Sequence, residues 1–353
     1  MSKPSKPDSS KRSFINQGAI DKMKANRKPL PDVAELVNGI KNQDRVLLSQ
    51  AITLIESKLP NHQQLAQQVI DQCLPLTIPS IRIGITGTPG VGKSTFIEAF
   101  GSMLVDQGRR VAVLAVDPTS RVSHGSILGD KTRMASLSTD ERAFVRPSSA
   151  GDSLGGVAQK TRETIVLLEA AGYDTILIET VGVGQSEVAV YSMVDFFLLL
   201  LLPGAGDELQ GIKRGIVEMA DLLVVNKADG DNLLLAKQSR QAYKNAIHLF
   251  PPTESGWIPK VRLCSALNKE GLPEIWDTVR SHHKELEASG YWDQCRQEQS
   301  AYWLRETVQR LLGERFYGDD RIKERLKTLE AEVLVGQRSP FAAATELVGL
   351  FMG

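Results

Sequence analysis

The stretch GTPGVGKS, Gly87 to Ser94, restricts the fold of this chain more than any other. It fits the pattern G-x-x-x-x-G-K-[ST]. IRIGIT (81–86) precedes it and reads as an apolar strand, and STFIEAFGSML (94–104) reads as a helix. A strand, a glycine-rich turn and a helix start, in that order, turn successive backbone N–H groups toward one point. The positive end of the helix dipole faces the same point. Such a turn cradles phosphate. The candidate contacts are Gly87, Thr88, Pro89, Gly90, Val91, Gly92, Lys93, Ser94 and Thr95. Lys93 is the cation for the β- and γ-phosphates, and Ser94 is the hydroxyl for Mg²⁺.

The rest of the chain supplies a matching scaffold. VAVLAV (111–116), TILIE (175–179), DFFLLLLL (195–202), DLLVVN (221–226) and VRLCSA (261–266) are further short apolar runs, mostly separated by helix-length segments. Alternating strands and helices predict an α/β fold, a P-loop NTPase with a mostly parallel sheet flanked by helices. Residues 30–76 have helical spacing, with Val33, Leu36, Val37 and Ile40 on one stripe and Leu47, Leu48, Ala51, Leu54 and Ile55 on another. After about residue 280 the strands stop, and 281–316 reads as one long amphipathic helix with Tyr302, Trp303, Leu304, Val308, Leu311 and Leu312 as its apolar stripe. The expected division is a disordered basic tail (1–29), an N-terminal helical extension (30–76), a nucleotide domain (77–284) and a C-terminal helical dimerisation arm (285–353).

Composition removes several classes. Lys+Arg and Asp+Glu are both 42, so no global basic field is available for nucleic acid or an anionic membrane. FFLLLLL (196–202) falls far short of the ~18–20 residues of a membrane span and ends at Pro203-Gly204. Cys73, Cys264 and Cys295 form no CxxC pair and stand at no metal-ligand spacing, as expected of reduced thiols in a reducing compartment. The expected location is the cytoplasm, or the mitochondrial matrix in a eukaryote.

NKAD, Asn226 to Asp229, ends one of the strands. An aspartate there accepts hydrogen bonds from the N1–H and 2-amino group of guanine, donors that adenine lacks. Asn226, Lys227 and Asp229 are the base candidates, and Ser265, Ala266 and Leu267 of CSAL back them. IETVGVGQSE (178–187) ends a strand at Glu179 and reaches Gly182, a D-x-x-G-like element with glutamate in place of aspartate. Glu179 is a carboxylate for Mg²⁺, and the Gly182 N–H senses the γ-phosphate. Asp117 and Asp130, in VDPTSRVSHGSILGDKTRM (116–134), read either as metal-shell carboxylates or as turn caps. Val183 stands where fast-switching GTPases carry a water-orienting glutamine, so slow intrinsic hydrolysis is expected. LPGAGDELQGIKRG (202–215) is glycine-rich, then acidic, then basic. It lies past the C-terminal end of a strand, where open α/β sheets bind ligands.

GTPGVGKST, AVDPTS, GSILGDKTRM, ETVGVGQSE, DELQGIK and NKADGDN occur in this order. Together they resemble the MeaB/ArgK group of metallochaperone-type P-loop GTPases, from about residue 30 to near the C-terminus. The resemblance implies a homodimeric GTPase that assists adenosylcobalamin-dependent methylmalonyl-CoA mutase by loading, protecting or reactivating it. It agrees with Lys93 on phosphate, with Ser94, Asp117, Asp130 and Glu179 around Mg²⁺, and with Asp229 on guanine. It makes GDELQGIK a third switch loop, with Asp207, Gln210 and Lys213 as its working residues and Lys213 able to reach the nucleotide. Thr119 stands where the group often has serine, and His124 where glycine is common. No DxHxxG-like stretch occurs, so cobalamin is expected on the partner and not on this chain. The alternatives are a transport-linked lysine/arginine/ornithine ATPase or kinase, a nickel-type metal-insertion GTPase, and a GTP-dependent scaffold without turnover. The nickel reading lacks the thiolate and imidazole donors it needs, since His282-His283 is an isolated pair.

Overall fold

The structure, a computed structural model, describes residues 30–116, 134–147, 154–180, 186–204, 214–251 and 253–353. Seven strands form one sheet: β1 (Ile81–Gly87), β2 (Val111–Val116), β3 (Ala143–Arg146), β4 (Thr175–Thr180), β5 (Phe196–Leu201), β6 (Leu222–Val225) and β7 (Lys260–Leu263). Their order is β3-β2-β4-β1-β5-β6-β7, and every pairing is parallel. The expected fold class holds, with a sheet that is parallel throughout. β1 and β4 lie side by side, yet their outgoing connections run to opposite sides, to β2 and to β5. A crevice opens at such a reversal beyond the strands' C-terminal ends.

The central strands are buried on both faces, which explains their unbroken apolar runs. In β5, Phe196, Leu198 and Leu200 enter one core while Phe197, Leu199 and Leu201 enter the other. Each such side chain contributes roughly 1.5–3 kcal/mol by leaving water. The first core packs α4 (Lys93–Asp106) and α10 (Leu272–Ser289) on the sheet through Phe96, Phe100, Ile275 and Trp276. The second holds α1 (Val33–Lys41), α2 (Arg45–Glu56) and α3 (Pro60–Cys73) against α6 (Leu154–Ala170). Asp32 and Asp44 cap α1 and α2 by accepting N–H bonds from their first turns. The N-terminal helices therefore share the sheet's own core through Leu36, Ile40, Leu48 and Ile52.

The remaining helices are α5 (Ala135–Thr139), α7 (Ser186–Tyr191), α8 (Arg214–Glu218), α9 (Leu233–Ile247), α11 (Tyr291–Gly318), α12 (Asp320–Leu334) and α13 (Pro340–Met352). Two expectations are corrected. The strand β3 went unread, because AFVR is only four residues long and pairs with β2 alone. The single helix expected over 281–316 is two, broken at Gly290. Gly290 takes φ +76°, a left-handed conformation that glycine adopts without cost, and it ends α10. The expected boundary at 284/285 thus falls inside α10, and the chain turns five residues later. On α11, Trp303 packs on the main core, while Leu304, Val308, Leu311 and Leu312 are exposed.

α11 is fixed to the N-terminal ends of the strands. Arg296 donates to Asp195 through its NH2 nitrogen at 2.6 Å and to the Ser80 carbonyl at 3.0 Å. Gln299 donates to the Val194 carbonyl at 2.7 Å, and the Trp303 ring N–H to the Ser192 carbonyl at 3.0 Å. Arg82 and Glu169, both buried, join the network at 2.8 Å. Residues 296, 299 and 303 recur at helical spacing, so one face of α11 grips one loop, 192–195.

Candidate active site

The opposite end of the sheet is built from loops. The turn after β1 runs from Gly87 to Gly92, and α4 starts at Lys93. Gly87, Gly90 and Gly92 all take positive φ. At Gly92 a side chain would be strained at φ +94° and would also press on Asn226 Nδ2 at 3.0 Å. The Lys93 ammonium folds back to donate to the Gly87 carbonyl at 2.9 Å. Val91 is fully buried beneath the turn, Thr95 and Pro89 are exposed, and Ser94 is half-buried. The Thr88 hydroxyl oxygen is withdrawn from water with no hydrogen-bond partner among the described residues. Glu179, buried near the end of β4, lies in register with Ile85. One residue on, the Thr180 hydroxyl donates to Thr86 at 2.8 Å, which locks β4 to β1 beneath the turn. Burial pulls the Lys93 ammonium below its ordinary pKa, and the carboxylates of Glu179 and Glu187 oppose that pull.

Asn226 ties the site together. Buried after β6, its amide N–H donates to the Val91 carbonyl at 2.9 Å, and its oxygen accepts the Ala266 N–H at 3.1 Å. Both ends of the side chain are thus spent on protein, joining the phosphate turn to the loops after β6 and β7. Lys227, at φ +55°, donates to the Gly90 carbonyl at 2.8 Å and braces the turn from above. The Ser265 hydroxyl donates to one carboxylate oxygen of Asp229 and accepts the Asn268 N–H at 3.2 Å. The bond to Ser265 fixes the rotation of the Asp229 carboxylate and leaves its other oxygen for a donor outside the protein. Leu267 is exposed beside it.

Glu179, Lys93 and Ser94 thus gather at the ends of β1 and β4, while Asn226, Asp229, Ser265, Ala266 and Leu267 gather after β6 and β7. Asp117, Asp130, Gly182, Asp207, Gln210 and Lys213 lie outside the described residues. Three contributions went unread in the sequence. Glu187 is fully buried and acts on Lys93, Ser265 steers Asp229 by its side chain, and Asn226 works as a latch. The SE after GVGQ was the available signal for Glu187, but nothing local shows that its side chain turns inward.

Among the described residues His282 joins no cluster of metal-ligating side chains, and its Nε2 lies 3.6 Å from an Asp221 carboxylate oxygen. It is buried edge-on to Phe196 and Trp257, and burial first, then His283 and Lys260, push it down to about 3, so it is neutral. All three cysteines are free, and burial pushes the Cys73 and Cys264 thiols up to about 11 and about 12.

A family model described as "Methylmalonyl Co-A mutase-associated GTPase MeaB" matches residues 48–321. The chain belongs to the MeaB family. It is 48% identical over 289 residues to "GTPase ArgK" of Escherichia coli K12, covering 82% of this chain and 87% of that protein. It is 47% identical over 332 residues to "Methylmalonic aciduria type A homolog, mitochondrial" of Mus musculus, covering 90% of this chain and 79% of that one. Among solved structures, "Crystal structure of LAO/AO transport system kinase" superposes with a TM-score of 0.72 at 37% identity, over 97% of this chain and 100% of that chain.

Proposed function

We propose that this MeaB-family chain binds and hydrolyses GTP at the loops beyond the C-terminal ends of β1, β4, β6 and β7. The observation that carries the reading is the Asn226 latch. It holds a phosphate turn and an aspartate-bearing base loop in one frame, the layout that a guanine nucleotide requires. Gly87, Thr88, Pro89, Gly90, Val91, Gly92, Lys93, Ser94 and Thr95 take the phosphates. Asp229, its carboxylate turned by Ser265, takes guanine between Lys227 and the 265–267 loop. Lys93 leaves the Gly87 carbonyl to neutralise charge on the transferred phosphoryl group.

Mg²⁺ fits the donors present. Ser94 offers a hydroxyl and Glu179 a buried carboxylate, both hard oxygen ligands. With Asp117 and Asp130 they would hold the ion, which would offset the negative charge of the phosphates. The exposed stripe Leu304, Val308, Leu311 and Leu312 supports a homodimer through the arm. The family description and the name of the mouse relative support methylmalonyl-CoA mutase as the client that GTP turnover serves, with Asp207, Gln210 and Lys213 coupling the two. The described residues contain no helix long and apolar enough to cross a membrane, and we place the chain in the cytoplasm, or in the mitochondrial matrix of a eukaryote. Steady-state hydrolysis of GTP and ATP by the purified chain tests the reading. Slow turnover of GTP alone is expected. Equal turnover of ATP would remove the guanine assignment and favour an ATPase or kinase.

A further inference from the structure

A cavity of about 670 Å³ opens at the N-terminal ends of β5 and β6, the sheet end away from the nucleotide loops. Its volume is that of a small-ligand site. Its lining is one-sided in charge. Asp195, Glu218, Asp221, Glu254 and Glu298 line it, and no lysine or arginine does so among the described residues. Arg296 answers Asp195, and Glu298 accepts a bond from Gln294 at 2.8 Å. Glu218, Glu254 and Glu298 are exposed around the cavity, while Asp221 is partly buried and accepts the Phe197 N–H at 2.8 Å. Tyr191, Phe250, Tyr291 and Tyr302 give it aromatic walls. Two buried polar atoms on lining residues have no hydrogen-bond partner among the described residues: Gln299 Oε1 and His282 Nδ1. Gln299 is 8% exposed and His282 2%. The Gln299 amide N–H donates to the Val194 carbonyl at 2.7 Å, so its oxygen is the atom left over. A bound donor would remove the cost of that unanswered acceptor.

We propose that this cavity binds a small organic amine, an ammonium or guanidinium group on an apolar body with no carboxylate of its own. The Asp221 carboxylate answers the positive charge, and Gln299 Oε1 accepts an N–H. Aromatic side chains pack on the apolar body and attract a cation over their faces. The exposed carboxylates draw the cation in. Burial pushes the Asp221 carboxyl up to about 7, and a bound cation favours its ionised form. An amino acid fits less well, because no cationic side chain in the lining answers its carboxylate, and His282 is neutral. The proposal does not rest on the GTPase reading, since none of these residues belongs to the nucleotide site.

The test is calorimetric titration of the full chain with phenethylamine and with agmatine. At least one should bind with a Kd on the order of 100 μM. Two analogues of phenethylamine separate charge from shape. 2-Phenylethanol, which is neutral, should bind roughly tenfold more weakly, and phenylalanine, which adds a carboxylate, more weakly still. Asp221→Asn keeps an acceptor for the Phe197 N–H and should weaken amine binding roughly tenfold. Glu254→Gln, at an exposed position, should weaken it only a few-fold. Nitrogen-15 NMR gives a second readout, in which the Gln299 side-chain amide signal should shift as the amine is added. No binding of either amine at millimolar concentration overturns the proposal. Equal binding of 2-phenylethanol would leave an apolar pocket only, and equal binding of phenylalanine would remove the ligand class. Amine binding that is unchanged in both variants and leaves the Gln299 signal unmoved would place the amine elsewhere, which is also an overturning result.

Discussion

The two ends of the same sheet are built on opposite principles. At the N-terminal ends of the strands, Arg82, Glu169, Asp195 and Arg296 answer one another's charges, and Gln299 and Trp303 add bonds to the 192–195 loop. Most polar groups there are answered within the chain, although the buried Gln299 Oε1 has no hydrogen-bond partner among the described residues. At the C-terminal ends, Lys93 rests on a carbonyl, the Thr88 hydroxyl lacks a partner among the described residues, and Asp229 spends one oxygen on Ser265. Bonds made internally yield stability and a fixed shape. Groups held in place but incompletely satisfied yield affinity for whatever completes them. Substitutions at the first end should therefore cost stability, and those at the second should cost activity.

Asp195→Ala breaks the first end most severely. It takes from Arg296 its nearer carboxylate, leaving Glu169 at 3.5 Å and the Ser80 carbonyl, and leaves the Arg82 N–H without its acceptor. A loss of about 3–5 kcal/mol is expected by denaturant unfolding. Lys93→Ala should do the reverse, with kcat lower by on the order of 10²–10³-fold or more and stability little changed. A folded but fully active variant would remove Lys93 from the chemistry.

Asp221 sharpens the comparison by pH. It sits at the start of β6, where its carboxylate accepts the Phe197 N–H at 2.8 Å. Burial nevertheless pushes its carboxyl up from 3.8 to about 7. The folded state thus prefers the proton, so this contribution to stability is complete below about pH 4 and is lost as pH rises through 7. Asp221→Asn should flatten that fall, by about 1–3 kcal/mol at neutral pH, without altering turnover. An unchanged pH dependence of unfolding would refute the assignment.

Two smaller effects belong to the base loop. Asp229→Asn should reduce the preference for GDP over ADP roughly tenfold to a hundredfold, measured by calorimetric titration. Ser265→Ala should reduce it only a few-fold, since the carboxylate remains but rotates more freely. If Ser265→Ala matches Asp229→Asn, the serine contacts the base itself.

What was legible in the sequence follows from the same division. GTPGVGKS and NKAD stand out in the sequence because a phosphate-binding turn and a guanine-reading loop each demand particular residue types at short spacing. The apolar strands were readable because both faces of a central strand are buried. The latch between Asn226 and Val91 spans 135 residues, and the bond from Ser265 to Asp229 spans 36, so neither leaves a local pattern. Arg296, Gln299 and Trp303 look like an ordinary helix face until the 192–195 loop is set against them. The break at Gly290 was visible as SGY within a helical stretch, but an isolated glycine inside a helical pattern does not by itself end it.

The most direct test is GTP hydrolysis by the purified chain with and without methylmalonyl-CoA mutase from the same organism, over a range of mutase concentrations. A slow basal rate that rises to a plateau as mutase is added is the expected result, with Lys93→Ala inactive throughout. A rate indifferent to mutase at every concentration would contradict the client assignment, and the absence of GTP turnover in both arms would contradict the site itself.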